Sequence, residues 1–226
     1  MTLVGRFGPI EPERYGRRDP THGQTLTAPH STPPAETPDS RGAVDTQLVV
    51  ETAARIADEQ GIDEVTLTRV AKELNISQPA LYRHVEGYDD LIRSLGLEAR
   101  RVLADVLTEA AVGVAGDDAV RAMGRAWRQL VIERPGVYAA TDRYPCAGDP
   151  ELEEAVDRVI DVLGLALAAY QLEPEDQVHV ARTLRSAFHG FASLEAGDGH
   201  PRPHDLDDTY EHLIDLLIAG IRGHSV

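Results

Sequence analysis

The chain has 226 residues and 42% hydrophobic content, enough for one large or two small packed domains. A single cysteine, Cys146, excludes an internal disulfide and fits a reducing cytosol. No apolar run approaches the ~20 residues of a bilayer span, and the N-terminus lacks a signal peptide's apolar stretch, so a cytoplasmic chain without a membrane segment is expected. The net charge of −16 argues against a broad nucleic-acid surface. Residues 46–93 carry 5 Lys and Arg against 9 Asp and Glu, and residues 94–226 carry 12 against 23. Contact with nucleic acid would therefore rest on a few local cations, Arg69, Lys72 and Arg83, and would be sensitive to salt.

Residues 1–43 contain seven prolines, from Pro9 to Pro38, and no periodic apolar pattern, so a disordered tail is expected. Arg14, Arg17 and Arg18 within it have the character of a basic arm, although a solvated tail is the simpler reading. From Asp45, residues Leu48, Val49, Thr52, Ala53, Ile56 and Ala57 recur at helical spacing until Gly61. Thr66 then caps a helix from Leu67 to about Leu74, and Asn75 is placed for a left-handed C-terminal turn. Ser77 caps the next helix, with Pro79 in its first turn. Val65 with Val70 and Ile76 with Leu81 have the spacing of hydrophobic staples. Two short helices joined by a turn too short for antiparallel packing read as a helix-turn-helix.

The second of these helices is the functional candidate. Leu81 and Val85 face inward, which leaves Gln78, Ala80, Tyr82, Arg83 and His84 outward, and no acid stands between Ser77 and Val85. A solvated helix in so acidic a chain would ordinarily carry one.

A fourth helix starts at Gly87 or Tyr88, has Asp89 and Asp90 in its first turn, and runs to about Ala111 as a strut. Asp117 to Glu133 is a fifth helix, broken by Pro135 and Gly136. A short segment, Val137 to Thr141, and an irregular stretch follow. Further helices are expected from Glu151 to Tyr170, from Pro174 to about Ala196, and from about Leu206 to Arg222. No strand signal stands out. The expected fold class is all-α, about nine helices, with a tail at 1–43, a helix-turn-helix domain at 44–87 and a second helical domain at 88–226.

The order of these parts resembles the TetR family of transcriptional regulators. The string Ser77, Gln78, Pro79, Ala80, Leu81, Tyr82, with His84 and Leu91, carries most of the resemblance. The second half is similar to a branch with Trp127 and Arg128, then Glu133, Pro135, Gly136 and Tyr138, then Phe188-His189-Gly190-Phe191 followed by Leu194 and Glu195. The resemblance implies a homodimer whose last two long helices pack as a four-helix bundle. It also implies recognition helices that enter major grooves of a near-palindromic operator, and a small molecule in the C-terminal domain that releases the DNA. By position, Tyr82 and Thr68 match phosphate contacts, His84 a backbone contact, and Gln78, Ala80 and Arg83 groove-facing positions. Tyr88 stands where the family usually has Lys, and Val85 where it usually has an aromatic residue.

Met123, Trp127, Tyr138, Tyr144 and His189 are candidates to line an effector pocket, since each is adaptable, flat or polar-tipped. All five are also ordinary core residues. Arg182 and Arg185 could bind an anionic ligand or pair with acids across a dimer, and ion pairs are the simpler reading. His200, His204 and Asp205 match no established zinc spacing, and no cofactor is expected. No nucleophile–base pair or phosphate loop is present, so an enzyme is not expected. The competing reading is an acidic protein-interaction module that kept the fold and lost DNA binding.

Overall fold

The computed structural model describes residues 44–223, and the expected tail with Arg14, Arg17 and Arg18 lies outside them. The helices among these residues are α1 (Thr46–Gln60), α2 (Leu67–Glu73), α3 (Gln78–Leu81), α4 (Tyr88–Ala111), α5 (Asp117–Glu133), α6 (Pro135–Ala139), α7 (Pro150–Leu167), α8 (Pro174–Ala196) and α9 (Leu206–Arg222). Tight 3-10 turns at Ile62–Glu64, Ala140–Asp142 and Ala168–Tyr170 complete the regular structure. No strand occurs among the described residues. The fold is all-α, with a helix-turn-helix at one end.

The first three helices form where local chemistry directs. Asp45, Thr66 and Ser77 each accept a backbone N–H near the start of their helices, from Leu48, Arg69 and Ala80. The turn between α2 and α3 is a Schellman motif: Ile76 N–H bonds Ala71 O at 3.0 Å and Asn75 N–H bonds Lys72 O at 3.1 Å. Asn75 takes the left-handed conformation that this closure requires, with φ 54°. Helix α3 ends at Leu81, short of the inward-facing Val85. After Leu81 the backbone tightens into three-residue closures, Arg83 N–H to Ala80 O and His84 N–H to Leu81 O, which bring Val85 back into the core.

The apolar core of this head does not stop at residue 87. Leu91, Ile92, Leu95 and Ala99 of α4 belong to it, as do Val137 of α6 and Ala140 beside it. Thus α4 is shared: its first half packs in the head, while Leu103, Ala104 and Leu107 enter a second core built with α5, α7, α8 and α9. At Pro135 the chain does not simply break. Arg134 bends it, and Pro135 starts α6 at the position where a missing N–H costs nothing.

One close approach fixes α6 against α1. A Cβ added at Gly136 would lie 1.9 Å from the carbonyl oxygen of Ala57, so only glycine fits. The carboxylate of Asp58 accepts the N–H of Val137 at 2.8 Å and pairs with Arg134. A side chain of α1 therefore caps α6. Among the described residues, no helix is long and apolar enough to cross a membrane.

Candidate functional site

The outward face of the helix-turn-helix is arranged as its spacing predicts. Leu81 and Val85 are buried, whereas Gln78, Tyr82 and Arg83 are exposed and Ala80 and His84 are half-buried. Thr68 on α2 and Tyr88 at the first position of α4 are also exposed. Two of the three expected cations remain available: neither Lys72 nor Arg83 has a carboxylate within ion-pair distance among the described residues. Arg69 is instead tied back to Glu64 at 2.6 Å and to the Gln60 side chain, which removes it from the outer face. Its capture follows from the turn at Ile62–Glu64, an element that sequence spacing alone does not show.

The second core contains a line of polar contacts joining three distant strings. The Trp127 indole N–H donates to the Tyr138 hydroxyl at 2.8 Å, and that oxygen lies 2.8 Å from His189 Nδ1. Indole only donates, so the Tyr138 oxygen accepts from Trp127 and leaves its own O–H available to His189. His189 Nε2 lies 3.5 Å from the Asp142 carboxylate. Burial pushes the Tyr138 phenol well above its ordinary range, which keeps it a donor. One residue on from Trp127, Arg128 makes a two-pronged pair with Glu195, both bonds 2.6 Å, and lies over the rings of Phe191 and Tyr210. The Trp127-Arg128 pair and the Phe188 to Glu195 string are thus two halves of one structure.

Trp127, Tyr138 and His189 line a cavity of about 30 Å3. Met123 and Tyr144 do not. Met123 is wholly buried among apolar side chains of the second core, and Tyr144 packs in a small separate cluster with Leu97 and Leu152. Both are consistent with their ordinary role as packing residues. Sequence reasoning missed Arg100 and Asp142 and assigned Arg185 to ion pairs, yet all three reach this cavity. Arg100 is only 4% exposed. It donates to Gly96 O at 2.8 Å, Thr141 O at 2.6 Å and Cys146 Sγ at 2.9 Å. Its position on the α4 strut gives no hint of this, because the partners come from 41 and 46 residues away. Two of the three residues His200, His204 and Asp205 have other contacts: the His200 ring lies against Phe191, and Asp205 caps α9. No group of three or more His, Cys, Asp or Glu among the described residues is placed to hold a metal ion.

These features define a helix-turn-helix head joined to a second helical domain, and comparison with known proteins identifies the class as transcriptional regulators. Residues 49–95 match the family model described as bacterial regulatory proteins, tetR family, and residues 120–217 match the tetracyclin repressor-like C-terminal domain. An uncharacterized HTH-type transcriptional regulator of Mycobacterium tuberculosis, Rv0681, is 33% identical over 77% of this chain and 80% of its own length. The uncharacterized regulator YobS of Bacillus subtilis is 27% identical over 77% of this chain and 91% of its own. The crystal structure of the TetR family protein ActR of Streptomyces coelicolor, in complex with (S)-DNPA, superposes with a TM-score of 0.60 at 20% identity. That alignment covers 82% of this chain and all of the other. The chain belongs to the TetR family of DNA-binding transcriptional regulators.

Proposed function

We propose that the protein is a homodimeric repressor that leaves its operator when a small molecule enters the second domain. The observation that carries this reading is the double membership of α6. Val137 is buried in the core of the head, while its neighbour Tyr138 lines the cavity and holds both Trp127 and His189. With Gly136 in contact with Ala57, and Asp58 capping the helix, α6 cannot move without moving α1. A ligand that breaks or remakes the Tyr138 contacts therefore has a direct mechanical route to the head. The cavity of about 30 Å3 admits only the end of an organic ligand, and that end meets the groups that hold Tyr138 and so bears on the position of α6.

The dimer reading is supported by an apolar surface on the last two long helices. Leu216 is 59% exposed and Val178 45% exposed, and a groove of about 370 Å3 runs between α8 and α9. Gly190, in mid-helix, faces open space, so a second helix can approach closely there at a cost of roughly 1 kcal/mol in helix propensity. At the DNA face this reading assigns the exposed Gln78 and Arg83 to base edges, with Ala80 beside them. Thr68, Tyr82, His84 and Tyr88 hold the backbone.

The test is a gel-shift on DNA flanking the protein's own gene, at low and moderate salt, with light scattering to count protomers. Sequence-preferred binding by a dimer, lost on adding an effector, supports the reading. Absence of sequence preference at both salts removes it and favours the acidic interaction module, which the tying-back of Arg69 also suits.

A further inference from the structure

Ten of the sixteen arginines among the described residues have a carboxylate within ion-pair distance. The six that do not are Arg83, Arg100, Arg101, Arg182, Arg185 and Arg202. Three of these six meet at one place. Arg100 and Arg185 line the inner cavity, and Arg182 joins Arg185 in lining an open groove of about 430 Å3. The two spaces share Arg185, His189 and Asp142, so the groove is the mouth of the cavity. In a chain of net charge −16, a gathering of unpaired guanidiniums runs against the average.

Arg100 makes the case strongest. A guanidinium has five N–H donors, and three are engaged, all by atoms without a formal charge in their ordinary forms. A buried cation without a counter-charge is strongly unfavourable. Asp142, the acid of the lining, does not supply one. It is 61% exposed and faces His189 at the rim. The inner cavity of about 30 Å3 has room for roughly two water positions, which is also the size of a carboxylate's two oxygens. The body of a ligand must stay in the groove outside.

We propose that the cavity and its mouth bind a small organic anion, its carboxylate seated on Arg100 and Arg185 and its remainder lying in the outer groove beside Arg182 and Ser186. Tyr138 and His189 complete the carboxylate's surroundings. Guanidinium suits this task because its planar fork pairs with both carboxylate oxygens. An anion here competes for the groups that now hold Tyr138, which ties the charge of the ligand to the position of α6. The inference rests on the effector reading above and narrows it to a chemical class.

Trp127 is the only tryptophan of the chain and lines the cavity, so its emission reports occupancy. The full chain is titrated with succinate, glutarate and benzoate, with the corresponding amides as neutral counterparts, and with inorganic phosphate, each up to about 10 mM. Operator retention is followed in parallel, together with a panel of neutral apolar compounds. At least one carboxylate is expected to change Trp127 emission saturably and to weaken operator binding, while its amide does neither. Arg185→Gln, on an exposed position of α8, should raise the midpoint about tenfold or more without lowering Tm. Arg202→Gln, in the loop before α9, should leave it unchanged. Phosphate acting as well as the carboxylates, equal action of the amides, or an unchanged midpoint in Arg185→Gln would each overturn the proposal. A flat response to every carboxylate would overturn it too. Release by neutral compounds alone removes this inference and keeps the effector reading, whereas no release by any compound removes both.

Discussion

The head and the second domain bury different things. In the head core, from Val49 to Ala99 with Val137 and Ala140, the one buried polar side chain is Thr52. Its chemistry faces outward, on Gln78, Tyr82 and Arg83. The second core encloses the Trp127, Tyr138 and His189 contacts, a buried hydrogen bond from Tyr210 to Gly124 O at 2.6 Å, and the charge of Arg100 at its edge. Its chemistry faces inward. An apolar core keeps its shape whatever lies outside, which suits a part that must present a fixed surface. A core holding polar groups around a void can exchange one set of partners for another, which is what the proposed effector response requires.

This contrast can be broken at α6, where the two regions meet, and the largest effect is expected there. Gly136→Ala forces a methyl group into the Ala57 carbonyl and should cost about 3 kcal/mol or more, read by urea unfolding. If the variant folds, its operator affinity should fall even without effector. Leu81→Ala, at 1% exposure in the head, should cost about 2–5 kcal/mol and abolish DNA binding while leaving Trp127 emission native. Loss of both together would show that the regions are not separable units.

Tyr138→Phe keeps the ring and removes the hydroxyl. It leaves the Trp127 N–H and His189 Nδ1 without their partner, at a cost of about 1–3 kcal/mol. Operator binding should survive, and the response to effector should weaken. Arg83→Ala should leave stability within about 0.5 kcal/mol, since the side chain is exposed and unpaired, but should reduce discrimination between operator and random DNA by about 1–3 kcal/mol. Tyr82→Phe should instead weaken all DNA sequences alike.

The smallest effect is expected from acid. Hydrogen bonding from Arg93 holds Asp149 below its ordinary range, and the Tyr170 hydroxyl, followed by Arg222, does the same for Asp117. A carboxylate whose folded pKa is depressed contributes stability above its unfolded value and loses it as pH falls through the folded one. Tm should therefore decline modestly below the usual carboxylate range, and Asp149→Asn should flatten part of that decline. Both contacts lie in or around the second domain, so the head's own unfolding should respond less.

The sequence by itself determined most of the head. Thr66, Ser77 and Asn75 act on backbone groups three or four residues away, so their spacing is the structure. Gly61 and the acid-free run from Ser77 to Val85 are legible for the same reason. The sequence also marked Trp127, Tyr138 and His189 as candidates, although nothing in it said that they touch. It could not place Arg69, which a neighbouring turn captures, nor separate Met123 and Tyr144 from the cavity residues of similar chemistry. Only the tertiary structure decided that Arg100 and Arg185 share a cavity and that α6 belongs to both cores. The Arg100–Thr141 and Tyr138–His189 contacts join residues 41 and 51 positions apart. Their partners are chosen by how helices pack, and helix packing depends on the shapes of whole faces rather than on any local spacing.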